Sequence, residues 1–390
     1  MHHTVVSVHE SIPPGCEPAC HGCRHRHLPA AASLAQKAGY LGRVLERWAD
    51  RLAPVRAPAP ERRFGYRDRA TLTARWDDTA GWRFGLMRRD ELIAIHACPV
   101  HSPRVNRLIA TLRATLPAHD QFPLAYLHVA GAQATLIVKA RSFDRDRLET
   151  ALAAMTGVGI DGLWVHCHPA AGRKLFARSG WHLAWGVGES ATPDGFVHGP
   201  TAFQQLLPEL HELSVDIASR HLAPGPGVAV LDLYCGLGAT LRHWTDAGAA
   251  ALGIELAGGA VDAALRNAPR ASVLRGTCLQ RLPQVREWWS EQAGPRVAYV
   301  NPPRSGLEAE VMDALAGELR PQRIAYLSCS AGTLARDLAA LESAGYAVSS
   351  LHPFDFFPVT HHVECLALLD CRGVTADPAS VHAGQPVLGR

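Results

Sequence analysis

The feature that most constrains the fold of this sequence is a regular alternation of apolar segments, glycine-containing turns and helical segments after residue 209. A helical segment at 210–223 leads into the apolar run VAVLDLY at 228–234. Five more apolar segments follow, namely ALGIEL, ASVLRG, RVAYVNPP, RIAYLSC and CLALLD. Strands this apolar are buried on both faces, and strands that alternate with helices pair in parallel. This part of the chain is therefore predicted to be a doubly wound α/β domain.

The segments before residue 209 differ in composition. Residues 1–30 are rich in Cys and His, a helical stretch follows, and the Pro-rich string APVRAPAPERR indicates a connector. Strand-like patterns such as ATLTARW, LAYLHVA and ATLIVKA, with a helical segment between them, predict an α+β module. The predicted units are an N-terminal Cys-cluster module at 1–99, a central α+β domain at 100–208, the doubly wound domain at 209–370 and a flexible tail at 371–390.

The composition narrows the possible classes of protein. With 47% hydrophobic and 19% charged residues, the chain can bury large cores, which excludes global disorder. We expect no membrane span, because no uncharged apolar run reaches the roughly 18 residues required. We also expect no secretory signal, because the N-terminus lacks a basic segment followed by an apolar one. A net charge of +3 permits a local basic face without requiring a nucleic-acid partner. The chain is predicted to be cytoplasmic and monomeric, with no protein partner.

The loop after the first apolar strand has the pattern of a cofactor site. The string VAVLDLYCGLGAT runs from a strand through Gly236 and Gly238 into a helix, and glycines there let a ligand approach the backbone. A second strand ends about 20 residues later at Glu255, where an acidic side chain suits ribose hydroxyls. Because the third glycine of the dinucleotide pattern is missing, the loop favours S-adenosylmethionine over NAD. An ordinary strand-to-helix turn is the alternative.

Further strand ends carry residues capable of chemistry. Asn301 precedes two prolines, which end its strand and leave an amide that both donates and accepts hydrogen bonds. Cys329 follows the strand RIAYLS and precedes a helix, whose N-terminal potential favours a thiolate. Glu364 stands beside the last predicted strand. A thiol and a carboxylate at one sheet edge can act as nucleophile and general base. Taken alone, Cys329 would be interpreted as an inert buried thiol.

A group of cysteines marks the N-terminal module. Cys16, Cys20 and Cys23 lie close together in the sequence, and Cys98 precedes a proline. In a reducing compartment such thiols are a candidate metal site, and their spacing suits either zinc or a [4Fe–4S] cluster. Free thiols in a loop are the alternative.

A basic and aromatic stretch follows the Pro-rich string. It contains Tyr66, Arg67 and Arg69, and arginine side chains beside aromatic rings suit single-stranded RNA. A solvated strand face is the alternative. We favour RNA contact for these three residues.

These motifs together resemble the RNA (uracil-5-)-methyltransferase family, the relatives of TrmA, RlmC and RlmD. The resemblance is carried by the strings FQQLLPEL, LDLYCGLG, NPPRSGL, YLSCSAGTLARDL and DFFPVTHHVE, in the family's order and most strongly over 200–368. It implies a Rossmann-like, doubly wound class I methyltransferase domain. It also implies S-adenosylmethionine-dependent methylation of a uridine C5 in RNA.

The resemblance assigns roles to individual residues. Cys329 matches the nucleophile that adds to C6 of uracil, and Glu364 matches the base that removes the C5 proton. The positions that line the cofactor and base pocket are Gln204, Tyr234, Glu255 and Asn301, together with Gly236 of the glycine loop. The ligands of the family's [4Fe–4S] cluster match Cys16, Cys20, Cys23 and Cys98.

Details within the family favour an RlmC-like enzyme that acts on 23S rRNA. The chain has Asn-Pro-Pro-Arg where most members have Asp-Pro-Pro-Arg, and Cys16 comes too early for the N-terminal barrel of the RlmD type. Two departures from the family pattern affect the cofactor contacts: TAFQQL replaces the usual SFFQ-x-N, and Thr277 stands where an acidic or amide residue often meets the adenine. The alternatives are a tRNA uracil-5 methyltransferase, an enzyme that methylates an exocyclic amine, and a non-catalytic iron–sulfur RNA-binding factor.

Overall fold

The computed structural model describes residues 12–373, and two seven-stranded sheets form its framework. The first helix, α1 (Ala30–Val44), precedes both sheets and is followed by short 3₁₀ turns at Glu46–Arg51 and Pro60–Arg63. Among residues 12–373, no helix is both long and apolar enough to cross a bilayer. The predicted tail at 371–390 begins too early, because Cys371 is paired in the last strand, and its residues 374–390 lie outside the described residues.

The first sheet is mainly antiparallel and forms the central domain. Its strand order is β3-β2-β1-β4-β5-β6-β7, and only β5 and β6 pair in parallel. Helices α2 and α3 cover one face of it, and β8 and β9 form a separate small hairpin. The elements are β1 (Arg69–Asp77), β2 (Gly81–Arg88), β3 (Glu91–Ala94), α2 (Pro103–Thr115), β4 (Leu124–Ala130), β5 (Gln133–Val138), α3 (Glu149–Ala153), β6 (Gly162–Cys167), β7 (Trp181–Gly186), β8 (Ser190–Ala191) and β9 (Val197–His198).

This sheet corrects the predicted domain boundary near residue 99. Strand β1 pairs with β4 over Arg69–Thr73, so residues on both sides of the boundary share one sheet. Composition could not reveal this, because the pairing joins segments about fifty residues apart through hydrogen bonds that leave no local pattern.

The second sheet is the predicted doubly wound domain, and its fold prediction is confirmed. The strand order is β12-β11-β10-β13-β14-β16-β15, parallel from β12 to β14, with β16 and β15 antiparallel. The elements are α4 (Pro208–Leu222), β10 (Ala229–Leu233), α5 (Ala239–Asp246), β11 (Ala250–Glu255), α6 (Gly258–Asn267), β12 (Ser272–Arg275), α7 (Cys278–Ser290), β13 (Arg296–Val300), α8 (Ala309–Asp313), β14 (Arg323–Ser328), α9 (Ala331–Ser343), β15 (Tyr346–Phe354) and β16 (Glu364–Cys371). Strand order reverses between β10 and β13, where ligands bind in folds of this kind.

The N-terminal module packs onto the doubly wound domain. Leu41, Leu45 and Trp48 join the core on the face covered by α7, α8 and α9. The Pro-rich connector is hydrogen-bonded to strand β15, where Ala53 N donates to Leu351 O (2.8 Å). Arg56 N donates to Pro353 O (2.9 Å) farther along the same strand. Helix α1 therefore has a fixed position against the second sheet.

Candidate active site

The antiparallel pairing of β14 with β16 brings together the residues that the sequence proposes as nucleophile and base. Ser328, the last residue of β14, lies opposite Cys365, the second residue of β16. Cys329 follows Ser328 directly, and Glu364 begins β16. The charges of the two side chains interact, so the thiol and the carboxyl occupy one site at this edge of the sheet.

The carboxyl group of Glu364 is held in a state suited to accepting a proton. Its side chain is 5% exposed, and burial raises its pKa from 4.5 to about 7. The Arg304 charge and a hydrogen bond from Gln205 oppose that rise. A carboxyl group whose pKa lies near neutral pH is an efficient general base there.

The thiol of Cys329 is less acidic than the sequence predicts. Burial raises its pKa above 9.0, and the neighbouring Glu364 raises it further. Arg304 lowers it through its charge and a hydrogen bond. The predicted preference for a thiolate at the helix start is therefore wrong for the free protein, because Cys329 lies before Ser330, the residue that precedes α9, in a partly buried position. Arg304, to which the sequence assigns no role, is the cation that favours ionisation.

The loop carrying Arg304 is fastened to the start of α9. Thr333 Oγ1 donates to Arg304 O (2.9 Å), and Arg336 Nη2 donates to Ser305 O (2.9 Å). Gly306 has a φ of +80°, and a Cβ there would lie 2.4 Å from Thr333 Cγ2. The strings NPPRSGL and TLARD thus form one unit that places Arg304 beside Cys329.

A cleft of about 1020 Å³ lies next to Gln205, the hydrogen-bond partner of Glu364. We call it the cofactor cleft after the predicted cofactor residues that line it. Four of the five predicted cofactor residues line it, namely Gln204, Tyr234, Gly236 and Asn301. The fifth, Glu255, lies beneath the glycine loop instead. Its carboxylate accepts hydrogen bonds from Gly236 N (3.1 Å) and Ala257 N (2.7 Å).

The two glycines of the loop have different functions. Gly236 has a φ of +55°, and an added Cβ would meet nothing within 4 Å, so this glycine leaves space for a ligand. Gly238 has a φ of +80°, and an added Cβ would lie 3.0 Å from Ala264, so this glycine permits close packing of α5 on α6. Tyr234 also takes a positive φ of 65°, and its hydroxyl donates to Glu308 Oε2 (3.0 Å).

Unpaired polar atoms surround the same cleft. Within the described part of the chain, Gln204 Nε2 and the Tyr299 hydroxyl are buried without a hydrogen-bond partner, and both residues line the cleft. Buried polar groups are nearly always paired, so these atoms indicate a polar ligand. Sequence analysis missed Tyr299, whose only signal is a hydroxyl in an otherwise apolar strand.

Thr277 has a structural function in this protein. It precedes α7, and its Oγ1 accepts a hydrogen bond from Gln280 N (3.1 Å). The Thr277 N–H donates in turn to Gln280 Oε1 (3.2 Å), which completes a capping box. The departure from the family pattern at this position is therefore compatible with a well-formed helix start.

A second cavity, of about 750 Å³, opens on the thiol side of the site. Cys329, Arg304, His361 and His362 line it, and α1 forms its opposite wall. The Glu364 carboxyl interacts with a residue of each space, namely Arg304, which lines this cavity, and Gln205, which lines the cofactor cleft.

The four cysteines proposed as cluster ligands lie near one another. The charge of Cys16 interacts with those of Cys20 and Cys98, and the charge of Cys23 interacts with all three. The backbone of Cys98 is fixed by Asn106, which both donates to its carbonyl and accepts from its N–H. Within residues 12–373, however, no three His, Cys, Asp or Glu side chains form a ready-made metal site.

The predicted RNA-contact residues have different environments. Tyr66 is 2% exposed, and its hydroxyl donates to Pro358 O (2.9 Å), so the predicted base contact at this ring is wrong. The Arg67 backbone pairs with the segment at Val100–Ser102, while its Nε has no hydrogen-bond partner among residues 12–373. The Arg69 guanidinium lies over the exposed ring of Phe203, 5.0 Å from its centroid, at the cofactor cleft.

Comparisons with known proteins agree with this architecture. Residues 293–372 match the model of the tRNA (Uracil-5-)-methyltransferase family. An uncharacterized RNA methyltransferase of Gloeobacter violaceus is 27% identical over 377 residues, covering 90% of this chain and 80% of the relative. The 23S rRNA (uracil(1939)-C(5))-methyltransferase RlmD of Nitrosospira multiformis is 29% identical over 373 residues, covering 90% and 82%.

A solved structure shares the fold over most of the chain. It is the tRNA (uracil-54, C5)-methyltransferase of Pyrococcus abyssi in complex with S-adenosyl-L-homocysteine, with a TM-score of 0.68 and 22% identity. The match covers 90% of this chain and 86% of that structure. The narrower RlmC-like assignment stays a prediction. In sequence and in fold, the chain is therefore similar to proteins of the RNA (uracil-5-)-methyltransferase family.

Proposed function

We propose that this protein transfers a methyl group from S-adenosylmethionine to C5 of a uridine in RNA, using Cys329 as nucleophile and Glu364 as base. The observation that carries the proposal is the convergence of the Cys329 thiol, the buried Glu364 carboxyl group and Arg304 at one site, where Gln205 connects the carboxyl group to the cofactor cleft. Similarity to enzymes named for 23S rRNA favours rRNA as the substrate class. A tRNA substrate would involve the same chemistry and is the alternative within the family.

The proposed reaction needs both the thiol and the carboxylate. C5 of uracil is a weak nucleophile, so the Cys329 thiolate first adds to C6, and electron density moves to C5 as an enolate. C5 would then bond to the methyl carbon as the bond between that carbon and the sulfonium sulfur breaks, which would leave S-adenosylhomocysteine. The Glu364 carboxylate takes the C5 proton, the C6–S bond breaks, and the thiolate is regenerated with the double bond of the methylated base.

The cofactor cleft has the features required for S-adenosylmethionine. The open backbone at Gly236, the unpaired Gln204 Nε2 and the unpaired Tyr299 hydroxyl offer close approach and hydrogen bonds to a polar ligand. Glu255, at the end of β11, holds the glycine loop through Gly236 N, and its carboxylate remains the sequence-based candidate for the ribose hydroxyls. When bound, the sulfonium supplies an electrophilic methyl group. Asn301 lines the same cleft and would hydrogen-bond the pyrimidine edge, which stabilises the enolate.

We also propose that Cys16, Cys20, Cys23 and Cys98 hold a [4Fe–4S] cluster. Their mutual electrostatic interactions and the chemistry of four thiols support this. The cluster would tie the segment before α1 to the loop before α2. Iron and acid-labile sulfide in equal amounts in anaerobically purified protein, lost in Cys23→Ser, would test it.

The decisive experiment compares 5-methyluridine in RNA made with and without active protein. Cells lacking the gene are complemented with the wild type, with Cys329→Ala, or with Cys371→Ala as a control thiol that lines neither cleft. Mass-spectrometric mapping of rRNA and tRNA should show one uridine that loses its methyl group only with Cys329→Ala. Full methylation with Cys329→Ala would reject the mechanism. A protein-dependent methyl group on an exocyclic amine, retained with Cys329→Ala, would instead favour exocyclic-amine methylation, which needs no thiol.

A binding measurement distinguishes the proposed enzyme from a non-catalytic RNA-binding factor. The proposed enzyme should bind S-adenosylmethionine in calorimetry, whereas a protein with an inactive transferase domain should not.

A further inference from the structure

The wall of the thiol-side cavity opposite Cys329 is formed by helix α1, a segment to which the sequence assigns no function. Gln36, Gly39, Tyr40 and Arg43 of this helix line the cavity. Because residues three and four apart share one helix face, Gln36, Tyr40 and Arg43 form a continuous stripe. The Tyr40 side chain is 42% exposed, so its ring is available to a ligand.

The charge of the cavity is one-sided. Arg43 and Arg304 supply the positive charge of its lining, and none of the described lining residues is Asp or Glu. Lys37 also lines the cavity, but its charge is paired with Asp355. Burial lowers the pKa of the remaining basic residues, which are His25, His361 and His362. A cavity of this sign, with an exposed aromatic ring in its wall, suits a single-stranded polyanion with flat bases.

Helix α1 is held in this position by contacts with the doubly wound domain. Lys37 Nζ donates to Asp355 Oδ1 and to Phe357 O (3.1 Å), on the segment that leads to Glu364. Leu41 and Leu45 are completely buried in the core of the doubly wound domain. The stripe is therefore a preformed surface at a fixed position relative to the thiol.

We propose that the stripe formed by Gln36, Tyr40 and Arg43 binds the single-stranded RNA that flanks the target uridine. The ring of Tyr40 stacks on a base next to the target, and Arg43 contacts a backbone phosphate. This inference rests on the proposed function for the identity of the target nucleotide. The aromatic side chain proposed to contact RNA is therefore Tyr40, in place of the buried Tyr66.

The test measures binding of a fluorescein-labelled decauridylate by fluorescence anisotropy at several salt concentrations. Loss of stacking in Tyr40→Ala should weaken binding about tenfold, whereas Tyr40→Phe should bind like the wild type. Arg43→Ala should reduce the slope of log Kd against log salt concentration by about 0.7. Arg286→Ala is the charge-matched control, because Arg286 lines neither cavity and forms an exposed pair with Glu318. Calorimetric affinity for S-adenosylmethionine should be unchanged in every variant.

The outcomes separate this inference from the proposed function. If the wild type methylates uridine but Tyr40→Ala and Arg43→Ala bind RNA as Arg286→Ala does, the inference is overturned and the function stands. Failure of the wild type to bind the decauridylate also overturns the inference. If no 5-methyluridine depends on the protein but binding still requires Tyr40, the surface is supported and the proposed function fails.

Discussion

Substituting Glu364 by Gln should stabilise the protein at alkaline pH while abolishing efficient turnover. Burial raises the pKa of this carboxyl from 4.5 to about 7. Below the lower value the group is protonated in both the folded and the unfolded state. Between the two values only the unfolded state releases the proton, so the free energy of unfolding falls as pH rises. Above the higher value the full cost of burying the charge remains.

The size of this cost follows from the two pKa values. At 1.36 kcal/mol for each tenfold change, a rise from 4.5 to about 7 corresponds to about 3 kcal/mol. Glutamine resembles the protonated carboxyl in shape and avoids the cost. The free energy of unfolding of Glu364→Gln should therefore equal that of the wild type near pH 4 and exceed it by about 3 kcal/mol near pH 8.

Urea unfolding of the two proteins at both pH values measures the difference directly. Glu291→Gln, an exposed substitution outside both clefts, serves as the control and should show no pH-dependent gain. In Glu364→Gln, turnover should fall by at least about a hundredfold, because no group accepts the C5 proton. A covalent RNA adduct should then accumulate on a denaturing gel. A stability gain that is the same at both pH values would refute the electrostatic reasoning.

Two other substitutions test the surroundings of the site. Lys37→Met should lower the free energy of unfolding by about 3–5 kcal/mol, because it leaves Asp355 buried and unpaired. The double variant Lys37→Met/Asp355→Leu should recover most of that free energy, as measured by urea unfolding. Equal destabilisation in both variants would contradict this. Arg304→Met should raise the pKa of the Cys329 thiol, since it removes the cation that lowers it. The pH profile of iodoacetamide labelling of Cys329 should then move upward, while Arg286→Met leaves it unchanged.

Much of the catalytic architecture follows from local patterns. Alternating apolar strands and helices determined the doubly wound fold, because burial of parallel strands on both faces requires such runs. The carboxyl ends of parallel strands meet at one edge, so residues just after strands, such as Tyr234, Gly236 and Asn301, were found in one cleft. Cys329 and Glu364 were named from the same logic and share a site through the β14–β16 pairing.

Only the tertiary structure decided how distant segments complete the site. Lys37 and Asp355 are 318 residues apart, and their contact places α1 opposite the thiol. Tyr66 and Tyr40 are both tyrosines near arginines, yet the fold buries the first and leaves the second exposed. The acidity of Cys329 likewise depends on burial and on Glu364, which outweigh the helix start that the sequence displays. Periodicity and turn residues determine local structure, whereas burial and electrostatic environment arise from contacts between segments far apart in the chain.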